Sequence, residues 1–231
     1  PDLVWIKSRS NAASHGLHDV NRIDGTAEEI LYSDSSAASN TGGAYISSFD
    51  SDGFTANNNS SGNGSGTTYV SWNWKAGGTG VNNTTGGIAS TVSANSDIGV
   101  SFIKWQGDSN TSGTVGTGLS SSAPLDMVII KRRDSTSNWH VGHRFSGQGA
   151  NFAYHCNLDD AAALSGNAPY MMGTQSSTNG DRLYITGDGN INTAYYIAYC
   201  FQSVEGFSKF GKYEGNGSSD GTFVFTGFSV R

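Results

Sequence analysis

The chain has 231 residues, a net charge of −6, 14% charged and 11% aromatic side chains, which suffices for one large β-sandwich core or for two modules of roughly 110 residues. So few Lys and Arg argue against a broad nucleic-acid footprint, and no apolar run reaches the roughly 18 residues of a membrane helix. Gly at 32 positions against 3 Pro points to many turns in an ordered chain rather than to disorder.

The opening Asp2-Leu3-Val4-Trp5-Ile6-Lys7-Ser8-Arg9 returns as Asp126-Met127-Val128-Ile129-Ile130-Lys131-Arg132-Arg133, an offset of 124 (126 − 2). Four consecutive apolar residues of strand-forming type predict a strand buried on both faces, with the basic residues as its solvated exit. Ser14–Arg22 and its counterpart Asn138–Arg144 alternate and predict a second strand. Their histidines, His15, His18, His140 and His143, are a residue type that binds metals and titrates near neutral pH. No carboxylate stands at a familiar catalytic spacing, so no metal is expected. Ala27–Leu31 reads as one helical turn or the lead into a strand, and with its counterpart Leu158–Leu164 short helical turns are the favoured reading. Ala44–Phe49 is a strand, and Asp50-Ser51-Asp52-Gly53 before Phe54 is a hairpin turn. Its Asp pair lacks the further ligands of a calcium loop.

Residues 57–68, almost wholly Asn, Ser, Gly and Thr, read as a flexible surface loop. Tyr69-Val70-Ser71-Trp72-Asn73-Trp74 then alternates at period two, and it recurs as Tyr196-Ile197-Ala198-Tyr199-Cys200-Phe201. Val70, Trp72 and Trp74 are expected to point into the core, like Ile197, Tyr199 and Phe201. Residues 79–98 read as a Gly/Asn/Thr/Ser-rich linker. Gly99–Gly107 followed by Gly113–Leu119 reads as a hairpin, echoed by Gly206–Gly215 and Gly221–Phe228 with Trp105 and Tyr213 separated by 108 (213 − 105). Cys156 and Cys200 leave two readings open, a disulfide or two small apolar residues.

The expected architecture is therefore all-β: an antiparallel sandwich of two permuted copies of a roughly 110-residue unit. Residues 1–78 form the first unit and 99–205 the second. Residues 206–231 are a hairpin that closes the first unit or starts a third. Opening at Pro1 without Met, the chain reads as a fragment or a processed product.

Asp-Leu-Val-Trp-Ile-Lys at Asp2, Ser-Phe-Asp-Ser-Asp-Gly-Phe at Ser48, Tyr-Val-Ser-Trp-Asn-Trp-Lys-Ala-Gly-Gly at Tyr69 and Tyr-Ile-Ala-Tyr-Cys-Phe at Tyr196 together resemble virion proteins of marine tailed bacteriophages. The resemblance extends to the closing Gly206–Gly217. It implies a concanavalin A-like or laminin G-like sandwich of the jelly-roll type in a tail fibre or related appendage. It also implies a virion location, other virion subunits as partners in a homo-oligomer, and no cofactor.

Host attachment through a cell-surface glycan is the leading expectation, because polar loops on a rigid sandwich can vary without disturbing the scaffold. Trp105 and Trp139 are the candidate sugar platforms, with His140 and His143 beside Trp139; Trp5, Trp72 and Trp74 are assigned to the core. A purely structural decoration, collar or fibre-shaft role is the alternative. A polysaccharide depolymerase is disfavoured. Glycosidases use two facing carboxylates, whereas Glu occurs only at 28, 29, 205 and 214 and no Glu-x-Asp-x-x-Glu strand is present.

Overall fold

A computed structural model describes residues 1–23, 29–57, 59–145, 152, 154–165, 179–187 and 193–229. The chain is all-β, with antiparallel sheets. A four-stranded sheet has the order β3 (Leu31–Tyr32), β2 (Gly16–Asp19), β1 (Leu3–Ser8), β6 (Tyr69–Trp74). A seven-stranded sheet has the order β13 (His155–Asn157), β12 (His140–His143), β11 (Met127–Arg132), β15 (Tyr195–Phe201), β9 (Val100–Gln106), β8 (Ser90–Asn95), β7 (Val81–Asn83). Two short ribbons complete the fold, β4 (Ile46–Phe49) with β5 (Phe54–Ala56) and β10 (Ser112–Gly116) with β14 (Arg182–Thr186).

Period-two alternation explains the layering. Leu3, Leu17 and Leu31 of the smaller sheet meet Phe102, Ile197, Tyr199 and Phe201 of the larger one in a shared core. The opposite phase of β1, Val4 and Ile6, packs on Ile30, Tyr45 and Ile46 beneath the β4–β5 ribbon. On the far face of the larger sheet Ile103, Trp105, Val128, Ile130 and Tyr196 pack with Val115, Leu183 and Ile185 of the β10–β14 ribbon. The two continuous apolar runs are thus buried on both faces, as their composition predicts.

The ladders β3-β2-β1-β6 and β13-β12-β11-β15 share one register. Leu3 faces Asp19 and Trp74, while Met127 faces His143 and Phe201; the offsets are 124 (127 − 3) for β1 and β2 and 127 (201 − 74) for β6. Hydrogen bonds outside the ladders repeat as well. Buried Asp2 accepts from the Ala76 amide at 2.7 Å and Asp126 from the Ser203 amide at 2.6 Å. Ser33 N–H donates to His15 O at 3.0 Å, and Leu158 N–H to Trp139 O at 2.9 Å.

Several expectations are corrected. Residues 79–98 are not a linker: β7 and β8 extend the large sheet, since Ile88 and Val92 supply buried anchors among the polar residues. The 57–68 stretch contains a short helix α1 (Ser60–Asn63), capped by the Asn59 side chain accepting from Ser61 N–H at 2.8 Å. Its Gly62 is buried because any Cβ there would run into Tyr45. β9 and β10 do not pair with each other; they turn a corner from the large sheet to the ribbon. Lys131 is fully buried rather than solvated, its Nζ donating to the Ser36 and Arg132 carbonyls at 3.1 and 2.8 Å, and burial lowers its pKa to about 8. Arg133 is also buried and pairs with Glu29. Trp72 is 48% exposed. Residues 206–229 form no ladder, and 211–225 are exposed throughout.

The remaining minor expectations divide. Asp50 closes the β4–β5 turn, accepting from Ser48 Oγ at 2.9 Å and Thr55 Oγ1 at 2.8 Å. Both cysteines are free thiols. Cys156 on β13 and Cys200 on β15 are separated by two intervening strands, a gap of about 14 Å from the usual strand spacing and well beyond disulfide reach. The start of the Ala27–Leu31 turn lies outside the described residues, and 158–164 is bends and coil.

Candidate functional site

Trp139, just before β12, is wholly buried. Its ring lies 6.3 Å from that of Tyr199 in near-parallel stacking, and its Nε1 donates to the Tyr32 and Ser35 carbonyls at 2.8 and 3.1 Å. A Trp N–H buried this deep needs such a partner, so the indole joins the two sheets. Trp105 is equally buried and stacks on Tyr196 with centroids 5.2 Å apart. Neither can serve as an open sugar platform, which corrects the expectation. The reason is that Trp105 lies on the covered face of β9 and Trp139, just before β12, is packed between the two sheets.

His140 and His143 are half-buried on β12. Three positions apart, they project from opposite faces. His140 lies against His155 with ring centroids 5.2 Å apart. His143 Nδ1 accepts from the Phe145 amide at 3.1 Å, and burial lowers its pKa. The four candidate residues therefore do not converge. Of the two other histidines, His15 is half-exposed. His18 is wholly buried, its Nε2 accepting from the Tyr45 amide at 3.2 Å. Burial, reinforced by the neighbouring Arg22 guanidinium, pushes the His18 pKa down to about 3, so the imidazole is neutral in the fold. Among the described residues no three His, Cys, Asp or Glu side chains gather as a metal site.

Sequence reading missed a buried polar knot between the sheets. Arg22 Nε bonds Asp19 Oδ2 at 2.6 Å, and Tyr199 Oη donates to the same oxygen at 2.8 Å. Arg22 Nη1 donates to the Glu29 carbonyl at 3.3 Å, and Nη2 to the Leu17 carbonyl and Tyr199 Oη at 2.8 and 3.2 Å. Burial alone would lower the Arg22 pKa, but the Asp19 charge, Tyr199, the hydrogen bond to Asp19 and the Glu29 charge together outweigh it and the guanidinium stays charged. All three groups are buried and bonded to one another, so the knot holds the sheets in register. It offers no group to a ligand.

The open site lies elsewhere. A cleft of about 410 Å³ is lined by Lys104 and Gln106 of β9, Thr91 of β8, Asn82 of β7 and Tyr195 of β15, with the buried Trp105 also touching it. Arg133 and Glu29, paired with each other, and Asp134 also line it. Lys104, Gln106, Thr91, Asn82 and Tyr195 are the same phase of adjoining strands by register. That phase carries polar side chains because the smaller sheet does not extend over it. Tyr195 is 47% exposed. Donors, acceptors and one aromatic ring thus share a shallow polar surface, an arrangement suited to a hydroxyl-rich neutral ligand. Both cleft carboxylates are engaged by arginines, Glu29 by Arg133 and Asp134 by Arg132 at 2.7 Å. The alternation of β9 marks Lys104 and Gln106 in the sequence. Their meeting with Asn82, Glu29 and Tyr195 depends on pairings between distant segments.

Among the described residues no helix is long and apolar enough to cross a membrane. No curated protein and no solved structure matches the chain. Residues 1–230 match a family described as a domain of unknown function, DUF7483, and the chain belongs to that family.

Proposed function

We propose that this domain is a non-enzymatic virion module of a tailed phage, carried on a tail fibre or similar appendage, that attaches to a cell-surface glycan through the Tyr195 cleft. In this reading the fold is a concanavalin A-like, jelly-roll sandwich made of two permuted copies of one unit. The shared register of β1, β2 and β6 with β11, β12 and β15 supports the copies. The observation that carries the function is the cleft itself, where an exposed Tyr ring stands among Lys104, Gln106 and Asn82 on a rigid sheet. The resemblance of the chain's motifs to phage virion proteins suggests the setting. Tyr195→Ala tests it: binding to host-surface glycans should fall at least tenfold while the melting temperature stays unchanged. Undiminished binding by the variant, or no glycan bound by the parent chain, would remove the cleft from the account.

A purely structural role in a shaft, collar or decoration is the second reading, favoured by the exposed apolar Phe223, Val224 and Phe225. Gold-labelled antibody on intact particles separates the two. Label at fibre tips supports attachment, and label along a shaft or over the capsid supports structure.

A further inference from the structure

The two ladders differ at one edge. β15 is flanked by β11 and β9, whereas among the described residues its counterpart β6 pairs with β1 alone. An exposed edge strand presents unpaired N–H and C=O groups to any matching strand. The chain itself contains a second copy of the missing neighbour. Residues 209–214 repeat 101–106 at an offset of 108 (210 − 102) in the order of their large and charged side chains, with Phe210 for Phe102, Lys212 for Lys104 and Tyr213 for Trp105.

The backbone of this segment carries the same punctuation. Gly206 and Gly227 have φ of 76° and 83°, as Gly99 and Gly118 have 67° and 70° at the two ends of the β9–β10 corner. The arms 207–214 and 221–228 stay close, with Thr222 Oγ1 donating to Glu214 O at 2.8 Å and Lys209 Nζ 5.1 Å from the Phe225 ring centre. Phe207 and Phe210 line an apolar cavity of about 570 Å³ beside Trp74, where the Phe210 ring packs on Phe201 with centroids 5.6 Å apart. Beyond that point the segment leaves its own β6. Tyr213, Phe223 and Phe225 are 69%, 85% and 70% exposed.

We propose that residues 207–214 of one copy add to β6 of a second copy, as β9 adds to β15, joining chains head to tail. Transferring the β15–β9 register by the two repeat offsets sets Trp72 opposite Phe210, Val70 opposite Lys212 and Tyr69 opposite Tyr213. Phe210 then exchanges its contact with Phe201 of its own chain for the exposed Trp72 of the neighbour, and Tyr213 lies on Tyr69 as Trp105 lies on Tyr196. The second arm passes over the β4–β5 ribbon, as β10 passes over the other face of the large sheet. Main-chain bonds supply affinity and the alternate side chains specificity. Such a contact is heterologous, so it propagates into a filament or closes into a ring. The register rests on the permuted-repeat reading and is independent of the glycan cleft.

The β15–β9 bond between Gln202 N–H and Gly99 O makes Tyr199–Phe102 and Ile197–Lys104 the closely spaced, non-hydrogen-bonded pairs. By transfer, so is Val70 with Lys212, at a spacing that a disulfide can bridge. In a Cys156→Ala background, a Val70→Cys chain mixed with a Lys212→Cys chain should oxidise to a covalent heterodimer, and a doubly substituted chain to a ladder of multimers. Sedimentation of the unmodified chain should show mass rising with concentration, and Tyr213→Asp with Phe223→Asp should abolish that rise. Oxidation of the doubly substituted chain to a compact monomer would assign the segment to its own β6 and overturn the proposal. Reaction of Val70→Cys with a cysteine at 211 instead of 212 would overturn the register, and with it the repeat reading, while leaving strand addition standing. Silence at every position from 210 to 213 would overturn strand addition itself.

Discussion

Tyr199 and Trp72 occupy the same position in the two ladders, opposite Ile129 and Trp5 respectively, yet Tyr199 is 1% exposed and Trp72 is 48% exposed. The backbone frame is common to both, so strand identity does not set the difference. β9 lies beside β15 and closes the core over Tyr199, whereas β6 stands at an edge and Trp72 rests mainly on Trp5, with centroids 5.9 Å apart. Burial in such a sheet is decided by the neighbour, and a side chain's pattern position states only which face it joins. The same contrast runs through the second strands. Trp139 of the later ladder anchors both sheets, while its counterpart His15 sits half-exposed.

Those two residues give the sharpest way to break the comparison. Trp139→Ala should destabilise the domain by about 3–5 kcal/mol, the usual cost of truncating a fully buried large aromatic. The Tyr32 and Ser35 carbonyls would also lose their donor. His15→Ala, at the equivalent position, should change stability by less than about 0.5 kcal/mol. Denaturant unfolding of the two variants measures both values. Equal losses would mean that ladder position rather than covering sets the energetics.

A second test uses titration, because His18 in the first ladder has Gly142 as its counterpart. The His18 pKa is about 3 in the fold against 6.5 for the free side chain. The folded value is depressed, so the neutral imidazole's contribution is complete above about pH 6.5 and is lost as pH falls toward about 3. The slope is at most about 1.4 kcal/mol per pH unit. His143 and His155, also lowered by burial, act in the same direction. His18→Gln keeps an acceptor for the Tyr45 amide and should flatten the acid limb of a stability–pH profile. An unchanged slope would show that the acid sensitivity arises in the other ladder.

Most of the ladder was legible in the sequence because period-two alternation and the repeat are local signals. Leu3–Ser8 and Met127–Arg132 could be read as doubly buried strands, and 69–74 with 196–201 as their partners. What could not be read depends on which segments lie side by side. Ser90–Asn95 looked like linker because its apolar content is only Val92 and Ala94, although its backbone pairs fully with β9. Lys131 looked solvated because no local pattern shows that the Ser36 carbonyl will lie over it. The cleft was hidden for the same reason. Its polar residues belong to the visible polar phase of β9, but the Glu29–Arg133 wall comes from segments 104 positions apart.

The smallest expected effect returns to the open edge. Trp72→Ala removes a tilted contact with Trp5, worth about 0.5–1.5 kcal/mol for an aromatic pair, and leaves no buried cavity because the ring already faces solvent on one side. In dilute solution, where chains are apart, the loss should stay within that range by denaturant unfolding. At concentrations where chains associate head to tail, Phe210 of a neighbour covers the indole, and the same substitution should cost more. A variant penalty that grows with protein concentration would therefore report the same covering that β9 gives Tyr199. A penalty independent of concentration would leave β6 a permanent edge, and the difference between the two ladders would then be fixed within a single chain.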